Sequence, residues 1–359
     1  MKEIVATGTY TNTGRIWVRC VLVIMCLFIL IPVSVSCRDE ETLQFYNWGS
    51  YIDEDILKDF TKETGIKVKL STFASNEEMY AKLNSGSAFY DLAIPSDYMI
   101  ERMIKEGMLE KIDLSNIPNY KNIDAQFKNL AYDSANEYSV PYMWGTCGLL
   151  YNTGKVDDVV DSWDILWNAK YAKQIIMYES MRDSFIPAFR RLGYSVNTRD
   201  LKELEAARDL LIEQRPLVHA YMGDIIRDAM ISGEAAIALM YSGDAIDCMD
   251  NNPALAYAVP KEGSNVWFDS LVIPKGARNK DKAEAFIDYL CRPDVALKNT
   301  EYIGYSTVNA ETFKMLPSDM LENPAYWPDE DILGRCEVFL DLGDFARDLD
   351  KAWTEVLGS

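Results

Sequence analysis

Residues 42–70 read TLQFYNWGSYIDEDILKDFTKETGIKVKL and predict a strand, a helix and a second strand in succession. Leu43–Asn47 has the alternation of apolar and polar side chains that is typical of a strand. Asp53–Glu63 places its large apolar residues on one face of a helix, and Gly65 is suited to end that helix because glycine readily adopts a left-handed conformation. Ile66–Leu70 returns as a strand, so the stretch is one unit of an α/β fold.

The alternation of strands and helices continues along the chain. Ser75-Asn76-Glu77-Glu78 is a capping-box pattern that opens a helix, and Leu92–Ile94 follows as a buried strand. Ser96 is expected to cap the next helix, which ends near Gly107, and Thr198 is expected to cap a later one. The pattern predicts an α/β protein with a parallel or mixed sheet covered by helices on both faces.

The charge balance and the histidine content narrow the functional classes. The chain has 359 residues, enough for two domains, and its 56 acidic and 36 basic side chains give a formal net charge of −20. This charge repels phosphate backbones, so nucleic acid is not an expected partner. His219 is the one histidine, which leaves multi-histidine metal sites and most catalytic triads without their usual residues. Neither a metal nor a cofactor is predicted.

Residues 1–36 have the pattern of a secretory signal peptide. The apolar run Val21–Ile31 follows two arginines and is shorter than the roughly 20 residues that span a bilayer. Small residues then lead to Cys37, which we expect to become the lipidated first residue of a membrane-anchored periplasmic protein. Ser34 departs from the usual apolar residue three positions before that cysteine, so ordinary cleavage and an uncleaved anchor stay open.

Four cysteines follow residue 37, namely Cys147, Cys248, Cys291 and Cys336. They could form two disulfides in an oxidising compartment, but none of them forms a CxxC pair. We expect free buried thiols.

Aromatic side chains stand beside polar and acidic ones at several predicted strand ends. The segments are Tyr46–Trp48, Ser96–Tyr98, Tyr241–Asp244, Trp267–Asp269 and the single Tyr305. Open α/β sheets bind ligands at strand ends, an aromatic face attracts an organic ammonium by about 0.5–2 kcal/mol, and a carboxylate adds charge-assisted hydrogen bonds. The combination favours a cage for an alkylammonium group, and the alternative is that each ring is an ordinary core residue.

A series of motifs over residues 41–345 points to one family. The motifs are Phe45–Trp48 with Tyr51, Val140–Gly145, Trp267–Leu271 and Ile303–Tyr305. In this order they closely resemble the spermidine/putrescine-binding proteins of bacterial ABC importers.

That resemblance implies a two-lobed type II periplasmic binding-protein fold, in which each lobe is a mixed sheet flanked by helices and a hinge joins the lobes. The implied lobes are residues 41–148 with 268–313 and residues 149–267 with 314–359. The implied function is not enzymatic: a monomer captures putrescine or spermidine by cleft closure and delivers it to the membrane subunits of an importer.

The resemblance also implies which side chains bind the ligand. Asp269 is the implied acid that grips one terminal ammonium, and Ser96 is an implied hydroxyl contact. The implied aromatic wall consists of Trp48, Tyr51, Tyr98, Tyr241, Trp267 and Tyr305.

Several of these positions depart from the family pattern. Asp183 stands where the family carries a glutamate and Ser180 where it carries an aspartate, with Glu179 as a candidate to replace the lost acid. Tyr241 stands in place of a tryptophan, and Phe339 lies nearest to the family's amide contact. Because fewer acids at this end hold a third ammonium less well, the sequence favours putrescine over spermidine.

Three alternative functions stay open at the level of sequence. One is a surface lipoprotein of the same fold with a sensing or interaction role. Another is a hydrolase that acts through the carboxylates of Asp183 and Glu179. The third is a receptor of the same fold for a sugar or an amino acid.

Overall fold

One mixed sheet runs through the computed structural model, which describes residues 42–223 and 225–359. Its ten strands are β1 (Thr42–Trp48), β2 (Lys67–Phe73), β3 (Leu92–Ala93), β4 (Ser139–Asn152), β5 (Ile175–Tyr178), β6 (Val218–Met222), β7 (Ile237–Tyr241), β8 (Leu255–Ala258), β9 (Val266–Val272) and β10 (Ser306–Thr307). The strand order is β2-β1-β3-β9-β4-β7-β5-β6, and β8 and β10 also pair with β4.

Thirteen α-helices accompany the sheet in the described residues. They are α1 (Glu54–Thr64), α2 (Asn76–Asn84), α3 (Asp97–Lys105), α4 (Met181–Arg191), α5 (Leu201–Gln214), α6 (Ile226–Ile231), α7 (Ser242–Asn251), α8 (Lys280–Leu290), α9 (Pro293–Ile303), α10 (Ala310–Phe313), α11 (Ser318–Glu322), α12 (Glu330–Leu333) and α13 (Ala346–Leu357). Within this part of the chain, no helix is both long and apolar enough to cross a membrane.

The 14-residue strand β4 belongs to two halves of the sheet. Its first part, Ser139–Thr146, pairs antiparallel with β9, while Cys147–Asn152 pairs antiparallel with β7 and β8. Each half also contains parallel strands, β2-β1-β3 in the first and β6-β5-β7 in the second. The two halves therefore repeat one layout, and β4 is common to both.

Buried hydrophobic side chains form two large cores that follow these halves. The first core draws on residues between Leu43 and Trp144 and between Phe268 and Val308. The second core draws on residues between Cys147 and Val259, together with Ala325 and Phe339. A smaller third cluster packs α4, α5 and α13 together. The chain passes from one core to the other at two places, within β4 and at the start of β9. These two places are neighbours in the sheet.

The helix predicted from residues 42–70 is confirmed at both ends. Asp53 caps the start of α1 by accepting a hydrogen bond from the Asp55 N–H, and Gly65 ends it with a φ of 77°. The predicted cap at Thr198 is wrong: Asp200 caps α5 by accepting from the Lys202 N–H, while the Thr198 hydroxyl accepts from the Asp200 N–H. Two potential capping residues lie two positions apart here, and the aspartate takes the role.

All four cysteines beyond Cys37 are free thiols in the structure, and Cys147, Cys248 and Cys291 are buried. The predicted signal peptide and its lipidation site at Cys37 lie outside the described residues.

Candidate functional site

Asp269 is a buried carboxylate on β9, a central strand of the sheet. The backbone of Asp269 forms an isolated antiparallel bridge with Ser96, the residue just before α3. The Ser96 hydroxyl donates to Asp269 Oδ1 at 2.7 Å, and the Tyr51 hydroxyl donates to Asp269 Oδ2 at 2.8 Å. Two elements far apart in the sequence thus hold both oxygens of one carboxylate.

The electrostatics of Asp269 are set by burial. Loss of solvation raises the pKa of this carboxyl to about 6, although the hydrogen bonds from Ser96 and Tyr51 oppose the rise. The group is therefore mostly ionised at pH 7 in a poorly solvated place. A primary ammonium beside it would supply the missing counter-charge and charge-assisted hydrogen bonds.

A buried network of hydrogen bonds holds the backbone of the loop that carries Tyr51. The Tyr51 carbonyl accepts from Asn47 Nδ2 at 3.1 Å and from the Tyr142 hydroxyl at 2.9 Å. Asn299 Nδ2 in turn donates to that Tyr142 hydroxyl at 2.6 Å. Because these partners come from β1, β4 and α9, the backbone at Tyr51 is tied to elements of the first core.

A path of aromatic rings leads away from Asp269. Tyr51 meets Tyr305 edge-on at 5.8 Å between ring centroids, and Tyr305 meets Trp267 at 4.9 Å and 90°. The centroid of the Trp267 ring lies 6.2 Å from that of Tyr241, and the Tyr241 centroid lies 4.8 Å from that of Tyr178. The path begins in the first half of the sheet and ends in the second, so it crosses between them.

Two glycines make room for these rings. A Cβ on Gly243 would lie 2.0 Å from Tyr305 Cδ1, and a Cβ on Gly145 would lie 2.6 Å from Trp267 Cζ2. Both distances are far shorter than real contacts, so any larger residue would displace the ring. The Tyr305 ring, from the first half, therefore packs directly against the start of α7, from the second.

Asp183 is the acid at the other end of the ring path. It lies buried in the first turn of α4, and the side chains of Tyr241 and Ser180 interact with it. Burial raises the pKa of Asp183, and those two side chains together with the Arg182 charge oppose the rise. Ser180, which we expect to stand where the family carries an acid, therefore favours the ionised form of Asp183.

Residues 55–326 match the family described as bacterial extracellular solute-binding protein, about three quarters of the chain. The chain belongs to this family. A spermidine/putrescine-binding periplasmic protein of Salmonella typhimurium strain LT2 is 40% identical over 313 residues, which cover 87% of this chain and 90% of the relative. The putrescine-binding periplasmic protein PotF of Escherichia coli strain K12 is 31% identical over 349 residues, covering 91% and 94%.

A solved structure in the family agrees with the fold. The spermidine/putrescine ABC transporter substrate-binding protein PotD from Streptococcus pneumoniae, crystallised with calcium and HEPES, superposes with a TM-score of 0.83 at 39% identity. The match covers 89% of this chain and 99% of that one. The expected two-lobed periplasmic binding-protein fold is thereby confirmed.

Two rings of the expected aromatic wall have contacts away from the path. Trp48 donates its indole N–H to the Ile94 carbonyl at 2.8 Å and packs on Phe73 at 4.5 Å. Tyr98 donates its hydroxyl to Glu77 at 3.0 Å, and the Arg182 guanidinium lies 5.9 Å from its ring. Both residues are half-buried, so they flank the path rather than continue it.

The positions where this chain departs from the family pattern have different surroundings. Glu179 is exposed after β5, and its Oε1 lies 2.8 Å from the place of a Cβ on Gly223. Phe339 is buried with the Arg182 guanidinium 4.1 Å from its ring. Glu179 therefore points towards the end of β6, and Phe339 presents its aromatic face to the cation of Arg182.

Sequence reasoning missed three polar residues around the site. Asn47 supports the Tyr51 loop, and Asn76 forms two hydrogen bonds with Ser96. Asp97 is fully buried and accepts from the Phe268 N–H at 3.1 Å, which ties α3 to β9 next to Asp269. Asn47 and Asp97 belong to the motifs quoted above. Their positions beside Trp48 and Ser96 were the sequence signal that could have identified them.

Proposed function

We propose that the protein captures polyamines outside the cytoplasm and delivers them to the membrane subunits of an ABC importer. The observation that carries the proposal is Asp269, a buried carboxylate with two hydroxyl donors, at one end of a path of aromatic rings. Carboxylates bind the ammonium groups of a polyamine, and ring faces cover its methylene chain. The names of the relatives support the same ligand class.

The lobes of this receptor are residues 41–148 with 268–313 and residues 149–267 with 314–359. The separation of the first core from the second supports this division. Asp269 and Tyr51 then belong to one lobe, and Asp183 and Tyr241 to the other. A ligand that touches both ends stabilises the closed arrangement of the lobes, because only that arrangement makes both sets of contacts.

The preferred ligand is the diamine putrescine rather than the triamine spermidine. A diamine has two ammonium groups, and Asp269 and Asp183 provide one acid for each of them. Ser180 and Phe339 are uncharged and cannot pair with a third ammonium. Moreover, the charge of Arg182 acts on Asp183, lowering its pKa, and repels an additional cation. An unpaired ammonium in a closed cleft costs several kcal/mol, so the number of acids decides the preference.

Anchoring of the mature protein through lipidated Cys37 belongs to the same proposal. It would keep the receptor at the membrane surface near the importer. Partition of the native protein into detergent and the mass of its first peptide test this part independently of ligand binding.

Isothermal titration with putrescine and spermidine tests the function. The mature protein, stripped of ligand by unfolding and refolding, should bind putrescine one to one, tighter than about 10 μM or roughly −7 kcal/mol. Glu137→Gln changes an acid in a surface pair with Lys111 and serves as the charge control, with unchanged affinity. Absence of binding to either polyamine would overturn the proposal and favour the sensing or interaction role.

A further inference from the structure

Asn76 lies at the start of α2 and is buried against the Ser96 segment. Its Oδ1 accepts from the Ser96 N–H at 3.1 Å, and its Nδ2 donates to the Ser96 hydroxyl at 3.1 Å. Because a backbone N–H requires an acceptor, the first bond fixes which way the amide faces. The amide N–H groups must then point to the Ser96 oxygen.

This arrangement decides the direction of the hydroxyl proton of Ser96. A hydroxyl has one proton and two lone pairs, and Asn76 occupies a lone pair. The proton is therefore available to Asp269 Oδ1, 2.7 Å away. Ser96 stands at the N-cap position of α3, yet its side chain makes no capping hydrogen bond, contrary to the sequence expectation. The hydroxyl is committed to Asp269 instead.

We propose that Asn76 is a positioning residue of the ligand site: it aims the Ser96 hydroxyl proton at Asp269 and so keeps that carboxylate oriented and ionised for a ligand ammonium. The inference rests on the proposed function for the identity of the ligand. It does not rest on the proposed function for the hydrogen-bond relay, which the contacts of Asn76, Ser96 and Asp269 show by themselves.

The other groups around Asp269 explain why one donor matters. The charge of Asp269 raises the pKa of the titratable groups that face it, which are Tyr51, Asp97, Tyr132, Tyr142 and Tyr305. These are hydroxyls and one further acid, so hydrogen bonds stabilise the ionised form of Asp269. Loss of a donor to a buried carboxylate raises its pKa.

Two substitutions of Asn76 separate positioning from simple packing. Asn76→Asp keeps the shape and can still accept from the Ser96 N–H, but its carboxylate draws the hydroxyl proton away from Asp269. Asn76→Ala frees the hydroxyl to rotate without drawing it away. Ser75→Ala is the matched control, because it removes the cap of the same helix and leaves Ser96 untouched.

The measurement is the dissociation constant of putrescine by titration calorimetry between pH 5.5 and 8. If only the ionised site binds, the constant doubles at the pKa of Asp269 in the free protein. We expect the pH at which the constant doubles to rise by about one pH unit in Asn76→Asp and by less in Asn76→Ala. Ser75→Ala should lower the melting temperature and leave this pH unchanged.

The inference would be overturned if Asn76→Asp lowers the melting temperature but leaves unchanged the pH at which the putrescine dissociation constant doubles. A carbon-13 NMR titration of the Asp269 carboxyl in the ligand-free protein, assigned with Asp269→Asn, gives the same answer without ligand. If the unmodified protein binds no polyamine, the proposed function fails, while this titration still tests the relay from Asn76.

Discussion

The two ends of the ring path hold their acids in different ways. Asp269 projects from a central strand and takes one hydroxyl donor on each oxygen, from the Tyr51 loop and from Ser96. Asp183 projects from the first turn of a helix and is supported by Ser180 and Tyr241, with Arg182 next to it in the chain. Both acids are supported by groups of their own half of the sheet, but Asp269 has a hydroxyl donor on each oxygen, whereas Asp183 also lies beside a cationic residue in the chain. If both acids bind the ligand as proposed, we expect Asp269 to supply most of the affinity and Asp183 most of the selectivity.

The strongest test of this inequality is Asp269→Asn. Removal of the charge should weaken putrescine binding by about 100-fold or more, since the ligand ammonium is left buried without its partner. Calorimetry measures this loss, and an affinity within tenfold of the unmodified protein would contradict the assignment.

The same substitution should stabilise the ligand-free protein at pH 7. The folded pKa of about 6 exceeds the ordinary value of 3.8, so the folded state loses stability as pH rises from about 4 to 6 and the full penalty is present above that range. The penalty has an upper limit of about 3 kcal/mol. Thermal unfolding without ligand should therefore show a higher melting temperature for Asp269→Asn at pH 7 and no such gain at pH 3.5.

Changes at Asp183 should have smaller effects on affinity and larger ones on selectivity. Asp183→Asn should weaken putrescine binding by about thirtyfold, roughly 2 kcal/mol. Asp183→Glu restores the longer acid of the family pattern and should raise the affinity for spermidine relative to putrescine. Competition titrations give the ratio, and an unchanged ratio would mean that this end does not select the ligand.

Gly243→Ala tests whether the two ends must approach each other. The added Cβ would meet the Tyr305 ring at 2.0 Å, so the ring or α7 must move and binding should weaken by about tenfold. Gly334→Ala is the control, because its Cβ would have an ordinary contact of 3.4 Å. Equal affinities for both variants would show that this packing does not contribute to binding.

The smallest expected effect is that of pH on the unmodified protein. With a pKa of about 6 for Asp269 in the free protein, the putrescine dissociation constant should rise about fourfold between pH 7 and pH 5.5. Protonation removes the charge that pairs with the ligand, so affinity must fall and not rise on acidification. Affinity that does not change over this range would indicate that another acid carries the first ammonium.

Local patterns predicted the elements of the fold better than the relations between them. The strand and helix of residues 42–70 follow from periodicity and from the cap at Gly65. The pairing of Ser96 with Asp269 joins residues 173 positions apart, and no local pattern carries that information. The resemblance to a family supplied both residues, but not the hydrogen bond between them.

Asn76 shows a second limit of sequence reasoning. Its neighbours Ser75 and Glu78 form a recognisable helix start, and that pattern accounts for the segment without giving Asn76 a role. The structure confirms the cap at Ser75 and adds the two bonds from Asn76 to Ser96. A polar residue inside a well-explained motif can therefore have a second partner that only the tertiary structure reveals.

The sharing of β4 between both halves of the sheet has a consequence for unfolding. Neither half can complete its hydrogen-bonded ladder without this strand, because Ser139–Thr146 serves one and Cys147–Asn152 the other. Separation of the chain at this strand would leave two open edges instead of two domains. In the proposed mechanism the lobes move as two bodies around a ligand, yet in heat or denaturant we expect them to melt as one cooperative unit.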